Sequence, residues 1–313
     1  MQNLTLQNYT ESDLDKLADF CSRYLKKCPD AKLNSPDFYT YHPGFKNGEN
    51  VLCVFDAGQR MIGFAPVFPV LVSDENDVIS LADIWTVILT SPDCEAPRDV
   101  RDILYNGVLK RVYHSKMQYS LSRLRLCADL MVSQKEDIDY LLSKGFESFE
   151  QMVVMNRDLS ETIETISTPD EMVFQASKLS SKDEQSIYLK IHNTCFPENP
   201  KNIEDLGFLL KSPLWEKGVA LMAYSTTNEL VGGVLVYWDG QQDYAVMDDV
   251  MVDPAWRGQN IAQGLIGEGL RYIQADGLSV VRIEVKVSNP AVNVYTSMGF
   301  RVLDREELLA KYF

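Results

Sequence analysis

Residues 248–266, DDVMVDPAWRGQNIAQGLI, begin with strand formers, break at Pro254 and resume with helix formers from Arg257. In such a strand-to-helix turn the first helical N–H groups have no partner in their own helix. They lie at the positive end of its macrodipole, so the turn accepts an anion. Gly258 has no Cβ, and Asn260 is among the few non-glycine types that enter the left-handed region with little strain, so the backbone can come close to a bound oxygen. Arg257 adds a fixed cation. Each charge-assisted bond to phosphate contributes about 1.5–3 kcal/mol, so a few of them anchor a pyrophosphate even in an acidic protein. Gly264, Gly267 and Gly269 each weaken the helix by about 1 kcal/mol relative to alanine, which is rational where the helix packs closely on a strand or ligand. Ile261, Leu265, Leu270 and Ile273 form its apolar stripe and read as core.

Outward from this junction, the second half of the chain reads as an extended stretch (172–179), two helices (181–196 and 202–212) and three β-rich runs (219–225, 229–238 and 243–252) joined by polar turns. The helix from Arg257 to Ala275 follows, with Gly277 as its C′ residue. SVVRIEVKVS (279–288) then alternates, with Val281, Ile283, Val285 and Val287 on one face. A short helix ends at Gly299, and RVLDREELLAKYF (301–313) carries no decisive pattern. The predicted order is β, α, α, β, β, β, α, β, α, β.

The first half echoes this order. ENVLCVFDAGQRMIGFAPVFPVL (49–71) parallels KGVALMAYSTTNELVGGVLVYW (217–238), DIWTVILTSP (83–92) parallels DDVMVDP (248–254), and YLLSKGF (140–146) parallels VYTSMGF (294–300). These matches predict an internal duplication, with domains at 1–159 and 168–313 and the joint in the polar segment NRDLSETIETISTPDE (156–171). Two domains also suit a chain of 313 residues, which exceeds the usual size of one core.

With 45% hydrophobic and 24% charged residues, the composition is that of an ordinary soluble globular protein. The start has neither a basic nor an apolar leader region, and the apolar run at 62–72 is broken by Pro66 and Pro69, so a cytoplasmic protein is expected. Thirty basic against forty-five acidic residues give a formal charge of −15, which repels nucleic acid and anionic membranes and favours a cationic substrate. The six cysteines are scattered without a CxxC pair, and only three histidines accompany them. Neither a metal site nor a disulfide framework is expected. Cys195 beside His192 reads as a small buried side chain rather than a nucleophile.

VMVDPAWRGQNIAQGLI resembles the acetyl-CoA signature of the GNAT superfamily of N-acetyltransferases, Arg/Gln-x-x-Gly-x-Gly/Ala after a V-x-P strand end. SNPAVNVYTSMGF (288–300) resembles a later block of the same superfamily, Asn-x-x-Ala-x-x-x-Tyr-x-x-x-Gly-Phe. The resemblance implies an α/β (α+β) fold of two tandem GNAT-like domains, each a mixed, mostly antiparallel, twisted sheet flanked by helices. The layout is similar to that of mycothiol synthase. It also implies acetyl-CoA as acyl donor. The backbone of Val250, Met251 and Val252 would pair with the pantetheine arm, and Arg257 with the amides of Gly258, Gln259, Asn260, Ile261, Ala262 and Gln263 would take the pyrophosphate. Asn289 stands where the family contacts the cofactor, and Tyr295 where a phenol protonates the departing thiolate. One departure is Asn260, in place of the motif's central glycine.

Strict alternation places Val246, Asp248, Val250 and Val252 on one strand face and Met247, Asp249 and Met251 on the other. Asp248 resembles the acid that collects the amine proton in polyamine-type members, Asp249 is a candidate for binding a cationic substrate group, and Glu284 is a further candidate base, five residues before Asn289. A solvated surface carboxylate is the alternative for each. In the first half, DCEAPRDVRD (93–102) offers Asp93, Glu95 and Asp99 and no glycine where Arg257 and Gly258 stand in the second, and Leu141 takes the slot of Tyr295. A degenerate first copy is expected. The whole predicts an acetyl-CoA-dependent N-acetyltransferase acting on the primary amine of a small molecule, with a non-catalytic acetyl-CoA sensor or interaction module as the alternative. The acceptor and the oligomeric state are not legible in the sequence.

Overall fold

The computed structural model describes residues 4–29, 31, 33–73, 79–121, 123–169, 172–197, 199–238 and 244–313, of which 72, 73 and 79–81 are described by their backbone alone. The chain forms two compact units, Met1–Met152 with Arg305–Phe313, and Val153–Asp304. The polar segment 156–171, where the sequence places a joint, therefore lies within the second unit, and its Arg157 is 3% exposed.

The first unit contains β1 (Thr5–Asn8), α1 (Leu14–Lys27), α2 (Pro36–Tyr41), β2 (Val51–Phe55), β3 (Met61–Ser73), β4 (Ile79–Thr86), β5 (Leu89–Thr90), α3 (Pro97–Gln118), β6 (Arg123–Met131) and α4 (Lys135–Ser143). The strand β7 (Glu147–Asp158) begins in this unit and ends in the second. β1 to β4 pair antiparallel in order, β5 pairs with β3, and β4 pairs with β6 in parallel. One core, around Val100, Leu104 and Val108 of α3, fills one side; Phe20, Tyr24 and Tyr39 of α1 and α2 anchor another.

The second unit contains β8 (Val173–Ser177), α5 (Lys182–Cys195), α6 (Ile203–Lys211), β9 (Val219–Tyr224), β10 (Leu230–Tyr237), β11 (Tyr244–Val252), α7 (Ile261–Ala275), β12 (Val280–Lys286), α8 (Ala291–Ser297) and β13 (Arg301–Tyr312), whose residues from Arg305 belong to the first unit. This is the predicted element order. β8, β9, β10 and β11 pair antiparallel, as a meander should, and β11 pairs with β12 in parallel. The tail without a decisive pattern is β13, and it pairs antiparallel with β6 from Glu306 to Tyr312.

Local chemistry explains the boundaries. α5 and α6 each begin with a capping box: Ser181 Oγ accepts from the Glu184 amide while Glu184 accepts from the Ser181 amide, and Asn202 with Asp205 repeats the arrangement. α7 starts at Ile261 rather than at Arg257 as expected, because Gly258 (φ 77°) and Asn260 (φ 59°) are left-handed. The apolar stripe of α7 is core as predicted, with Ile261, Leu265, Leu270 and Ile273 buried against β9, β10 and β11. Full burial of such a side chain stabilises by about 1.5–3 kcal/mol. Tyr188, Leu206, Trp215 and Met251 form the other core of this unit, around α5 and α6.

Candidate functional site

The site grows from an irregularity in β11. Gly233 of β10 faces Met251 and Leu235 faces Asp248, so Asp249 and Val250 together oppose the single residue Val234. This is a β-bulge, and Asp249 takes the left-handed conformation (φ 50°) that aspartate tolerates better than most residues. The strict alternation expected from the sequence is corrected here. Met247 packs with α7, whereas Met251 packs with α5 and α6, because the extra residue reverses the face beyond it.

The parallel ladder between β11 and β12 runs from Tyr244–Val280 to Val246–Arg282 and stops, although β11 continues to Val252 and β12 to Lys286. Val252 and Met251 still pair with Gly232 and Gly233 of β10 on one edge. Their other edge is left without a strand among the described residues, so an extended amide-bearing chain can add there as a strand does. Asp253 accepts from the Ala255 amide and closes the turn.

At the head of α7, no internal acceptor among the described residues takes the amides of Gly258, Gln259, Asn260, Ile261, Ala262 or Gln263. A Cβ built on Gly258 would meet nothing within 4 Å, so the turn is open. Asn260 adopts the conformation expected of it, and its side-chain amide donates to the Ser167 carbonyl at 3.2 Å. Arg257 is exposed, and its Nε donates to the Val252 carbonyl at 3.2 Å, which tethers the guanidinium beside the strand end. Gly264 and Gly269 answer for their positions: added Cβ atoms would stand 2.7 Å from Phe174 and Thr168, and from Met247, respectively. Such a head of a helix, with free amides and a cation, fits the diphosphate of a coenzyme A thioester.

Two adjacent carboxylates sit at the bulge in different environments. Asp248 is half-buried; its Oδ1 accepts from the Asp249 amide at 2.8 Å and its Oδ2 from the Tyr237 hydroxyl at 3.2 Å. Burial, then the neighbouring Asp249 charge, raise its proton affinity above the ordinary value. The Asp249 side chain is 10% exposed, and its Oδ2 accepts from the Tyr188 hydroxyl at 2.8 Å and from Lys201 Nζ at 2.5 Å. His192 Nε2 lies 3.5 Å from its Oδ1. Burial pushes the Asp249 carboxyl up, but His192 and Lys201 outweigh it and hold the group below the ordinary carboxylate value.

Tyr295, on α8, is 6% exposed, and its hydroxyl has no hydrogen-bond partner among the described residues. Burial and the Asp248 charge raise its pKa, so the phenol stays a proton donor. Asn289 is exposed just before α8 and accepts from the Ala291 amide at 2.9 Å. Glu284 is exposed on β12, opposite in face to the buried Val281, Ile283 and Val285, and its charge acts on Tyr237. Val287 lies past the strand end and is exposed. Sequence reading missed Tyr188, His192, Lys201 and Tyr237. The only signal was the one-turn spacing of Tyr188 and His192 on α5.

In the first unit the corresponding turn is differently occupied. Asp93 pairs with Arg23 at 3.0 Å and Arg60 at 2.6 Å, and Arg101 of α3 pairs with Asp137 of α4 at 2.7 Å. The Tyr24 hydroxyl donates to the same Asp137 at 2.5 Å. Leu141, in the slot of Tyr295, is buried core.

The model of the Acetyltransferase (GNAT) family matches residues 187–300. The mycothiol acetyltransferase of Nocardioides sp. is 25% identical over 182 residues, covering 52% of this chain and 61% of the relative. That of Acidothermus cellulolyticus is 24% identical over 281 residues, 82% of this chain and 78% of the relative. The chain thus spans less than two thirds of the first of these relatives. Among solved structures, a GCN5-related N-acetyltransferase from Sphaerobacter thermophilus aligns with a TM-score of 0.72 at 15% identity, over 99% of this chain and 95% of its own. A tandem GNAT protein from the clavulanic acid biosynthesis pathway aligns with a TM-score of 0.73 at 12% identity, over 99% and 98%. These two likenesses concern the fold.

Proposed function

We propose, from the premise that this chain is a member of the GNAT acetyltransferase family, that its second unit transfers an acetyl group from acetyl-CoA to the primary amine of a small molecule. The observation that carries this reading is the head of α7, where the amides of residues 258–263 have no internal acceptor among the described residues and the open edge of β11 leads away from them. Acetyl-CoA supplies a thioester whose carbonyl an amine attacks.

The chain's own groups divide the remaining work. Arg257 and the amides of Gly258 to Gln263 hold the diphosphate, and the open edge of Val250, Met251 and Val252 aligns the pantetheine arm. Asn289, exposed just before α8, would contact the cofactor. Asp248 takes the proton of the acceptor amine; its raised proton affinity makes it a better base than an ordinary carboxylate. Tyr295 donates its proton to the departing sulfur, as its raised pKa and unbonded hydroxyl allow. Glu284, exposed on the adjoining strand, is the second candidate for the amine proton. All six cysteines are free thiols, which suits a reducing cytoplasmic setting. No helix among the described residues is long and apolar enough to cross a membrane. A formal charge of −15 disfavours nucleic acid as partner.

Incubation of the full chain with acetyl-CoA and a panel of amines tests the reading. Release of free coenzyme A thiol that depends on the amine supports it; silence across sugar, aliphatic and aminoacyl amines removes it.

A further inference from the structure

Asp249 reads from the sequence as a binder of a cationic substrate group, yet in the structure a cation of the chain itself already occupies it. Lys201 lies in the connection between α5 and α6, and its ammonium bonds Asp249 Oδ2 at 2.5 Å. The backbone behind it is fastened too: the Lys201 amide donates to Asn193 Oδ1 at 2.9 Å, and Asn193 Nδ2 donates to the Lys201 carbonyl at 3.0 Å. His192 Nδ1 stands 2.9 Å from the same Asn193 oxygen, and Tyr188 and His192 flank Asp249. Three residues of α5 therefore hold one lysine and one aspartate against each other. The Lys201 side chain remains 27% exposed, so the pair is not sealed from solvent.

Without Lys201 the bulge would present two adjacent carboxylates, Asp248 and Asp249, to solvent and ligand. Such a pair suits an acceptor with two cationic centres, one to be acetylated and one to be held. With Lys201 in place Asp249 is bonded directly to a cation of the chain, and Asp248 feels that cation only through its charge. We propose that Lys201 sets acceptor specificity by filling, from within the chain, the second cation position of the site, so that the enzyme takes a monoamine and turns away a diamine. This rests on the transferase reading above. Burial alone would weaken the hold of Lys201 on its proton, but the two aspartates more than compensate, so the ammonium persists as a fixed charge. A second ammonium entering beside it meets like-charge repulsion from Lys201, which is how a site excludes a competitor it could otherwise accommodate.

n-Butylamine and putrescine share one carbon chain and differ by one amino group, so their ratio isolates the second charge. In the wild-type chain kcat/KM for coenzyme A release is expected to favour n-butylamine by at least about tenfold. Lys201→Met should shift the ratio toward putrescine by at least about tenfold, and Lys201→Gln, which keeps a hydrogen-bond donor near Asp249 and guards against a misfolded variant, should shift it in the same direction. Lys201→Met combined with Asp249→Asn should abolish the gain, since no carboxylate is left to receive the second ammonium. Calorimetry with putrescine and no acyl donor reads the same contrast as binding, gained in the Lys201 variants and absent in wild type. A wild-type preference for putrescine, or an unchanged ratio in folded Lys201 variants, overturns the proposal. If no amine is acetylated by any variant, the transferase reading falls, and the calorimetric contrast alone judges Lys201.

Discussion

In the proposed transfer Tyr295 and Asp248 carry opposite duties in protonation, and their surroundings differ accordingly. The buried phenol of Tyr295 has its pKa raised by burial and by Asp248, which keeps it a donor. Tyr295→Phe is expected to lower kcat about 100-fold or more while the affinity for acetyl-CoA measured by calorimetry stays within about twofold. A loss of affinity matching the loss of turnover would mean that the ring packs the site and donates nothing. For Asp248 the sign is the reverse: a base works only when ionised, and its proton affinity is raised, so kcat/KM should fall on the acidic side of a point above the usual carboxylate range. Asp248→Asn should remove that limb from the pH profile; if the limb survives, Glu284 becomes the base. Asp249 behaves differently again. Its folded-state pKa is depressed, so it contributes stability at pH values above its unfolded value of about 3.9 that is lost as the pH falls through the lower folded value. Asp249→Asn should flatten the loss of stability on acidification seen in thermal melts, at a cost near neutrality of about 1–3 kcal/mol, because Lys201 loses its partner.

At the scale of the element, α7 separates an open head from a packed body along a single helix. Gly258 precedes it with a positive φ and open space around it, so Gly258→Ala strains the backbone by about 1–2 kcal/mol and sets a methyl group where the diphosphate is proposed to lie. Weaker acetyl-CoA binding with a small change in melting temperature is expected. Gly264, in the first turn of α7, is closed in by Phe174 and Thr168, and Gly264→Val should destabilise by about 1–3 kcal/mol through overpacking, read as a drop in melting temperature. If Gly258→Ala binds acetyl-CoA as wild type does, the head of α7 is not where the diphosphate lies. β11 shows the same economy: one left-handed residue, Asp249, turns the strand's face so that Met247 and Met251 serve different cores.

Across the whole molecule, the end of the chain stabilises the first unit. Leu308, Leu309 and Ala310 are buried, and β13 pairs with β6 through seven consecutive partners from Glu306 to Tyr312. Removing residues 305–313 should strip hydrogen-exchange protection from the β6 amides, with the protection of α7 far less affected; unchanged protection in β6 would contradict the pairing. The first unit also keeps its counterpart of the α7 turn filled with its own ion pairs, Asp93 with Arg23 and Arg60 and Asp137 with Arg101. A titration of the full chain is therefore expected to saturate at one acetyl-CoA, and a second equivalent of comparable affinity would show the first unit to be functional.

By itself the sequence determined the order of elements in both halves, the α7 core stripe, and the left-handed turn of Gly258 and Asn260, because hydrophobic period and backbone preference are local properties of consecutive residues. It also placed Asp248, Tyr295 and the head of α7 within one unit, through motifs whose spacing is short. Only the tertiary structure decided the bulge at Asp249, which depends on register against β10, and the allocation of the last strand to β6, which depends on a pairing between distant segments. The partnership of Lys201 with Asp249 belongs to the same class. Contacts between polar side chains far apart in the chain follow no period, so no window of sequence contains them until packing brings the partners together.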